Sequence, residues 1–111
     1  MNNKCKSPII NNLIGNKSYT IFYSPWCSYS MKALNMLRDT NNDVTEYDIE
    51  KLTIGNNKKG DFKALLSRLS NYSNELGFNI NHHTRPLIFY KGKFIGGSDA
   101  LIDHLNNVRN I

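Results

Sequence analysis

The spacing of apolar residues predicts a chain that alternates between helices and strands. Four segments have an apolar helical face or helix-type ends, and four have the β-branched, aromatic or alternating composition of strands. The predicted helices cover residues 7–15, 27–40, 61–77 and 98–108, and the predicted strands cover residues 19–23, 42–50, 86–90 and 93–97. The resulting order is helix, strand, helix, strand, helix, strand, strand, helix.

Residues of capping and turn type mark several of these boundaries. Ser7 as N-cap and Pro8 in the first turn predict the start of the first helix. Gly15 and Gly77 predict the ends of the first and third helices. The pair at 91–92, Lys-Gly, predicts a tight hairpin turn between the last two strands.

This order of elements predicts an α/β protein. The first two strands are separated by a helix, which favours a right-handed parallel crossover, and the last two strands would form an antiparallel hairpin. A four-stranded mixed sheet flanked by helices on both faces accommodates both connections. We expect one domain over residues 1–111, in which residues 1–16 form an N-terminal tail and a short helix. The last helix would be capped by Ser98 or Asp99.

Composition narrows the function classes. The 111 residues suit one domain, and the net charge of +5 favours anionic ligands or partners. No block of Lys and Arg exceeds two residues, which argues against nucleic-acid binding, and no apolar run approaches the ~20 residues of a membrane span. The N-terminus lacks the apolar core of a signal peptide, so we expect a cytoplasmic protein whose two cysteines, Cys5 and Cys27, stay reduced.

Candidate chemistry centres on Cys27 in the stretch YSPWCSYS. The predicted strand ends and the predicted helix begins there, so backbone N–H groups and the helix dipole favour a thiolate, and its pKa should fall below the ordinary ~8.5. Pro25 would stiffen the approach, Trp26 would cover one side, and the Ser30 hydroxyl would reach the sulfur across one turn. The alternative is an inert core cysteine, since free cysteine is often buried.

Three short motifs follow one another along residues 19–105: WCSYS at 26–30, TRP at 84–86 and GGSD at 96–99. Together, in this strand-and-helix context, they resemble the motifs of the glutaredoxin family. The resemblance implies a thioredoxin-like fold and the reduction of mixed disulfides with glutathione. The C-S-Y-S tetrad, with no insertion before the cysteine, resembles the disulfide-reducing group rather than the monothiol members that handle iron–sulfur clusters.

The resemblance also implies a role for each matching position. Cys27 would be the catalytic nucleophile, with Ser30 beside it, and no metal ligand is implied. Tyr29 would flank glutathione, and the backbone of Arg85, held by a cis Pro86, would pair with its cysteinyl part. The positions that would bind glutathione, with Ser98 and Asp99 at its γ-glutamyl end, are Trp26, Tyr29, His83, Thr84, Arg85, Pro86, Gly97, Ser98 and Asp99.

Two positions depart from the family's pattern. Ser24 stands where the family usually has lysine, three residues before the catalytic cysteine, and His83 stands where it often has a basic or amide side chain. Both normally help to bind the glycine carboxylate of glutathione, so His83, Arg85 or a nearby lysine would have to substitute. His82 and His83 have no carboxylate or cysteine nearby in the sequence to complete a metal site.

We therefore expect a monomeric glutathione-dependent thiol–disulfide oxidoreductase that acts by a monothiol route on glutathionylated or disulfide-containing proteins. Cys5, in a polar tail, is incidental in this interpretation. Two alternatives stay open. One is a dimer that holds a [2Fe–2S] cluster through Cys27 of each subunit and two glutathione thiols, and the other is a catalytically silent thioredoxin-like interaction domain.

Overall fold

The computed structural model of the protein describes residues 8–109, and its element order follows the predicted alternation. Ser7 and Cys5 lie outside the described residues. The elements are helices α1 (Pro8–Gly15), α2 (Ser28–Arg38), α3 (Phe62–Ser70), α4 (Ser73–Leu76) and α5 (Ser98–Arg109), strands β1 (Tyr19–Tyr23), β2 (Val44–Asp48), β3 (Leu87–Tyr90) and β4 (Lys93–Gly96), and a 3₁₀ turn (Ile49–Lys51).

The four strands form one mixed sheet in the order β2-β1-β3-β4. β1 pairs with β2 in parallel, from Tyr19 opposite Val44 to Tyr23 opposite Asp48. β3 is antiparallel to both β1 and β4. The predicted fold class, with its parallel crossover and its antiparallel hairpin, is confirmed.

Helices cover both faces of the sheet because side chains alternate along each strand. Phe22 of β1 and Phe89 of β3 point to the face covered by α1, α3 and α4, whereas Ile21 and Ile88 point to the face covered by α2 and α5. The fully buried residues of the first face include Ile10, Leu13, Leu65, Leu69 and Leu76, and those of the second include Ala33, Leu34, Leu37 and Leu101. This packing fixes the ends of β1 and β3, which carry the candidate site.

The third predicted helix, over residues 61–77, is wrong as a single element, because the structure divides it into α3 and α4. The break falls at Tyr72, whose backbone (φ −118°, ψ 28°) is not helical. It lies in the run Ser-Asn-Tyr-Ser-Asn, whose side chains compete with the helical hydrogen bonds. The predicted stop is confirmed, since Gly77 ends α4 in the left-handed region at φ 63°.

The second strand is shorter than the predicted range of 42–50. β2 ends at Asp48, whose carboxylate accepts a hydrogen bond of 3.0 Å from the Glu50 N–H. This local bond caps the 3₁₀ turn and takes the chain out of the sheet. Glu50 is thereby placed at the same edge of the sheet as the residues that follow β1.

The hairpin predicted at 91–92 forms a two-residue turn with positive φ at both positions, 52° at Lys91 and 78° at Gly92. That pair of angles suits the twist of the flanking strands. A Cβ on Gly92 would lie 2.8 Å from the Leu13 carbonyl oxygen, so the turn also needs glycine to approach α1.

The start of α5 differs from the predicted cap. Because the helix already begins at Ser98, Gly97 holds the N-cap position, and Ser98 and Asp99 are the first two residues of the helix. The first helical bond runs from the Leu101 N–H to the Gly97 carbonyl oxygen, at 3.0 Å. Among residues 8–109, no helix is long and apolar enough to cross a membrane.

Candidate redox site

Cys27 lies at the junction between β1 and α2, as the sequence predicts. It holds the N-cap position of α2 with an extended backbone (φ −98°, ψ 119°). Its N–H donates to the Ser24 carbonyl oxygen at 3.0 Å, and its own carbonyl oxygen accepts from the Met31 N–H at 3.0 Å. These bonds fix the cysteine on the first turn of the helix, with its side chain partly exposed.

The pKa of Cys27 is lowered from that of an ordinary thiol. Burial is the largest single influence and would raise the pKa, but it is outweighed by groups that stabilise the thiolate. These are the backbone N–H and hydroxyl of Ser30, the backbone N–H of Tyr29 and, through its charge, Arg85. No cap hydrogen bond of standard geometry joins the Cys27 side chain to α2, so these groups act by their proximity and orientation.

Ser30 is held rigidly beside the thiol. Its side chain is fully buried, and its hydroxyl oxygen accepts a hydrogen bond of 3.2 Å from the Ser24 N–H. A hydroxyl that accepts from one side retains its own proton for a second partner. The Ser30 proton is therefore available to the Cys27 sulfur, which is the arrangement expected from the sequence.

A cleft of about 330 Å³ lies next to the thiol. Tyr29 and Arg85, which both influence the pKa of Cys27, are among its lining residues. The structure thus brings together six of the nine residues predicted to bind glutathione: Tyr29, Thr84, Arg85, Gly97, Ser98 and Asp99. The seventh lining residue is Ala100.

The other three predicted residues are placed differently. Pro86 is buried behind the cleft and follows a cis peptide bond from Arg85, as the resemblance implies. Trp26 is exposed and contacts Arg85 rather than the cleft. His83 is exposed, and its Nδ1 hydrogen-bonds the Asn81 carbonyl oxygen at 2.7 Å, so it does not line the cleft.

The N-terminus of α5 forms one wall of the cleft. Ser98 is only 6% exposed, and its hydroxyl is the one buried side-chain polar group among residues 8–109 that lacks a hydrogen-bond partner. The first turn of α5 lies close to the end of β4. A Cβ added to Gly96 (φ 136°) would therefore lie only 2.8 Å from the Ala100 Cβ. Asp99 is exposed at the opening.

Arg85 connects the cleft to residues that sequence reasoning missed. Its Nε donates to the Ser24 hydroxyl oxygen at 2.8 Å, and that hydroxyl donates to Glu50 at 2.8 Å. Its guanidinium carbon lies 4.0 Å from the centre of the Phe62 ring. The order of strands could have predicted that Glu50 lies near Ser24, because residues that follow two adjacent parallel strands meet at one edge of the sheet. No local sequence pattern indicated Phe62.

Cys27 is the one cysteine among residues 8–109, so no other described site offers a thiol for this chemistry. A separate cleft of about 380 Å³ lies between α1 and the sheet, and its lining, which includes Asn11, Asn12, Thr20 and Thr45, contains no thiol and no charged side chain. Within residues 8–109, no group of three or more His, Cys, Asp or Glu side chains is arranged to hold a metal ion.

The fold and the site together define a class of protein. A mixed sheet with helices on both faces, a low-pKa cysteine at the start of α2 and a cis proline before β3 are the features of a thioredoxin-like thiol protein. Comparison then identifies the family. Residues 19–95 match the family model described as Glutaredoxin, and the chain belongs to the glutaredoxin family.

Individual relatives agree with this assignment. A probable glutaredoxin of Acanthamoeba polyphaga mimivirus is 41% identical over 102 residues, which cover 90% of this chain and 91% of the relative. Monothiol glutaredoxin-S6 of Oryza sativa subsp. japonica is 28% identical over 95 residues, covering 84% of this chain and 60% of the relative. The crystal structure of a buckwheat glutaredoxin–glutathione complex has a similar fold (TM-score 0.62, 18% identity, 86% and 74% of the two chains).

Proposed function

We propose that this protein is a glutathione-dependent thiol–disulfide oxidoreductase that reduces protein–glutathione mixed disulfides through Cys27 alone. The observation that carries the proposal is a thiol of lowered pKa beside a cleft lined by six of the residues expected to bind glutathione. Members of the family are in general thiol–disulfide oxidoreductases, so the reaction class follows from the family. The monothiol route and the choice of substrate are the specific part of the proposal.

The proposed reaction has two thiol–disulfide exchanges. The Cys27 thiolate attacks the glutathione sulfur of the mixed disulfide, a Cys27–glutathione disulfide forms, and the protein thiolate leaves and takes up a proton. A second glutathione thiolate then attacks the glutathione sulfur of this adduct, which yields oxidised glutathione and regenerates the Cys27 thiolate. One free glutathione thiol is consumed for each mixed disulfide that is reduced, because the other half of the oxidised glutathione comes from the substrate. No second protein cysteine is needed.

The charges of the cleft suit glutathione. Its γ-glutamyl end carries an ammonium and a carboxylate, which match the Asp99 side chain and the N-terminus of α5. The unpartnered Ser98 hydroxyl is a further polar group at that helix end. The buckwheat relative supports the same ligand, since it was solved in complex with glutathione.

Ser30 supports a monothiol route. In the C-S-Y-S tetrad it places a hydroxyl, which cannot form a disulfide, where a resolving cysteine would lie one turn from Cys27. The rice relative, at 28% identity, carries the name monothiol glutaredoxin. In the same proposal the protein acts as a cytoplasmic monomer on glutathionylated or disulfide-containing proteins.

The test is a glutathione-coupled assay on a glutathionylated peptide, with Cys27→Ser compared with Cys5→Ser. We expect Cys27→Ser to abolish turnover and Cys5→Ser to retain most of it, because Cys27 has the helix N-terminus that stabilises a thiolate. Similar losses in the two variants would contradict the monothiol route. Colour in wild-type protein purified without oxygen would instead point to an iron–sulfur cluster.

A further inference from the structure

Arg85 is held by direct contacts with three residues, Trp26, Phe62 and Ser24, rather than projecting freely into the cleft. Its guanidinium carbon lies 4.8 Å from the centre of the Trp26 ring and 4.0 Å from the centre of the Phe62 ring. Arginine over an aromatic face is attracted by the ring's quadrupole and keeps its planar group in a defined orientation. Phe62 begins α3, so an element distant from Cys27 in the sequence contributes to this contact.

A hydrogen-bonded chain fixes the same side chain from behind. Ser24 is fully buried, and its hydroxyl accepts from Arg85 Nε at 2.8 Å while donating to Glu50 Oε2 at 2.8 Å. The direction of both bonds is fixed, because a guanidinium only donates and a carboxylate only accepts. Glu50 therefore sets the orientation of the Ser24 hydroxyl, and the hydroxyl sets the position of Nε.

This arrangement leaves the outer end of Arg85 unused. Among residues 8–109, the two terminal nitrogens of the guanidinium have no hydrogen-bond or ion-pair partner, and Arg85 lines the cleft beside the thiol. A guanidinium whose Nε is held from behind presents these nitrogens as a fork that suits a carboxylate. Glutathione has such a group at its glycine end, away from the end that suits Asp99.

We propose that Glu50 is a positioning residue for the redox site, acting through the buried Ser24 hydroxyl and together with Phe62 to aim the Arg85 guanidinium at a carboxylate of the thiol substrate. The inference rests on the proposed function and names the determinant of its substrate preference. Glu50 does not line the cleft and contacts no reacting atom, and its effect passes entirely through Ser24 and Arg85.

The first test compares glutathione with its monoethyl ester at the glycine carboxylate. Glu50→Ala should raise the KM for glutathione roughly three- to tenfold, the effect of one lost hydrogen bond, with little change in kcat. The KM for the ester should not change, since the ester lacks the carboxylate that Arg85 would bind. Glu50→Gln, which keeps an acceptor for Ser24, should recover most of the loss.

Two further variants make this comparison specific. Ser24→Ala breaks the chain without changing charge and should give the same selective loss, and the double variant with Glu50→Ala should be no worse, because both changes remove one interaction. Glu46→Ala is the matched control, since Glu46 is a carboxylate of β2 that pairs with Arg38 of α2 instead. Equal losses for glutathione and the ester, or equal behaviour of Glu50→Ala and Glu46→Ala, would overturn the proposal.

A second measurement does not depend on glutathione turnover. The Arg85 Nε–H signal in a nuclear magnetic resonance spectrum should exchange slowly with solvent in the wild type and quickly in Ser24→Ala and Glu50→Ala. If the wild type failed to use glutathione, the proposed function would be wrong, and this signal would still decide the role of Glu50. Unchanged exchange in Glu50→Ala would refute that role.

Discussion

Most of the groups that lower the pKa of Cys27 lie within one turn of α2, and the charge of Arg85 adds to them. The N–H groups of Tyr29 and Ser30 are backbone donors that any residue would supply, whereas the Ser30 hydroxyl is a contribution of the side chain itself. The pKa of Cys27 is lowered, so the thiolate persists to lower pH than an ordinary thiol allows.

Ser30→Ala should shift the alkylation of Cys27 to higher pH. The variant removes one group that stabilises the thiolate and keeps the backbone donors, so the pKa should rise only part of the way towards that of an ordinary thiol. Iodoacetamide labelling rates measured across pH give the midpoint. Ser28→Ala, an exposed serine of the same turn, is the control. An unchanged midpoint in Ser30→Ala would show that the hydroxyl has no part in activating Cys27.

Asp99→Ala should raise the KM for glutathione about ten- to hundredfold, the range expected for a charge-assisted hydrogen bond of ~1.5–3 kcal/mol to an ammonium. Because Asp99 lies in the first turn of α5 without holding its N-cap position, the loss of stability should be small. Steady-state kinetics and thermal melting separate the two effects. A lower melting temperature with unchanged kinetics would restrict Asp99 to helix stabilisation.

At the scale of elements, the hairpin of β3 and β4 is fastened to α1. The turn at Lys91 and Gly92 reaches the C-terminal part of α1, where Gly92 lies against the Leu13 carbonyl, and the Lys91 N–H donates to the Ser18 carbonyl oxygen at 2.8 Å. Since β3 runs antiparallel to β1, this turn lies at the opposite end of the sheet from Cys27.

Gly92→Ala should destabilise the fold by about 2–4 kcal/mol, from a strained positive φ and a clash with backbone that cannot move away cheaply. Gly15→Ala is the matched control, because nothing lies within 4 Å of an added Cβ there. Urea unfolding gives both values. Activity well below the unfolding transition should survive in Gly92→Ala, and equal stability of the two variants would contradict the contact with α1.

Local patterns were enough to predict most elements but not their tertiary partners. β1 was predictable because the residues of 19–23, YTIFY, are all strand formers. The turn at 91–92 was predictable because Gly92, which tolerates positive φ, lies between two strand-like runs. The division between α3 and α4 was missed, since apolar spacing continues across it to the buried Leu76. Motifs located the cleft, whereas Glu50 and Phe62 belong to no motif and join Arg85 only when the chain folds.

At the scale of the whole molecule, β1 joins the thiol site at one end of the sheet to a tyrosine–histidine contact at the other end. Its C-terminal end leads to Cys27, and its N-terminal end carries Tyr19, whose hydroxyl lies 2.9 Å from Nε2 of His104 on α5. The pKa of His104 is lowered by burial, and the neighbouring rings of Tyr19 and Tyr90 pack against it. This contact fastens the C-terminal helix to the sheet.

His104 should make the protein less stable as the pH falls through about 6.5, the ordinary pKa of histidine. The unfolded chain takes up the proton at a higher pH than the folded chain, so acidification favours unfolding until the lowered pKa is also passed. Urea midpoints for the wild type and His104→Phe between pH 7.5 and 5.5 provide the measurement. Parallel pH profiles of the two proteins would exclude this linkage.

Trp26 is an intrinsic fluorescence probe of the redox site. It is the single tryptophan of the chain, it precedes Cys27, and its ring lies against the Arg85 guanidinium. At an excitation wavelength that tryptophan absorbs and the six tyrosines do not, the fluorescence therefore comes from Trp26 alone, next to the Cys27 sulfur. Because Trp26 is 66% exposed, a glutathionyl group added to Cys27 would change the surroundings of its indole ring. Formation and breakdown of the adduct can accordingly be followed in a stopped-flow instrument on unlabelled protein.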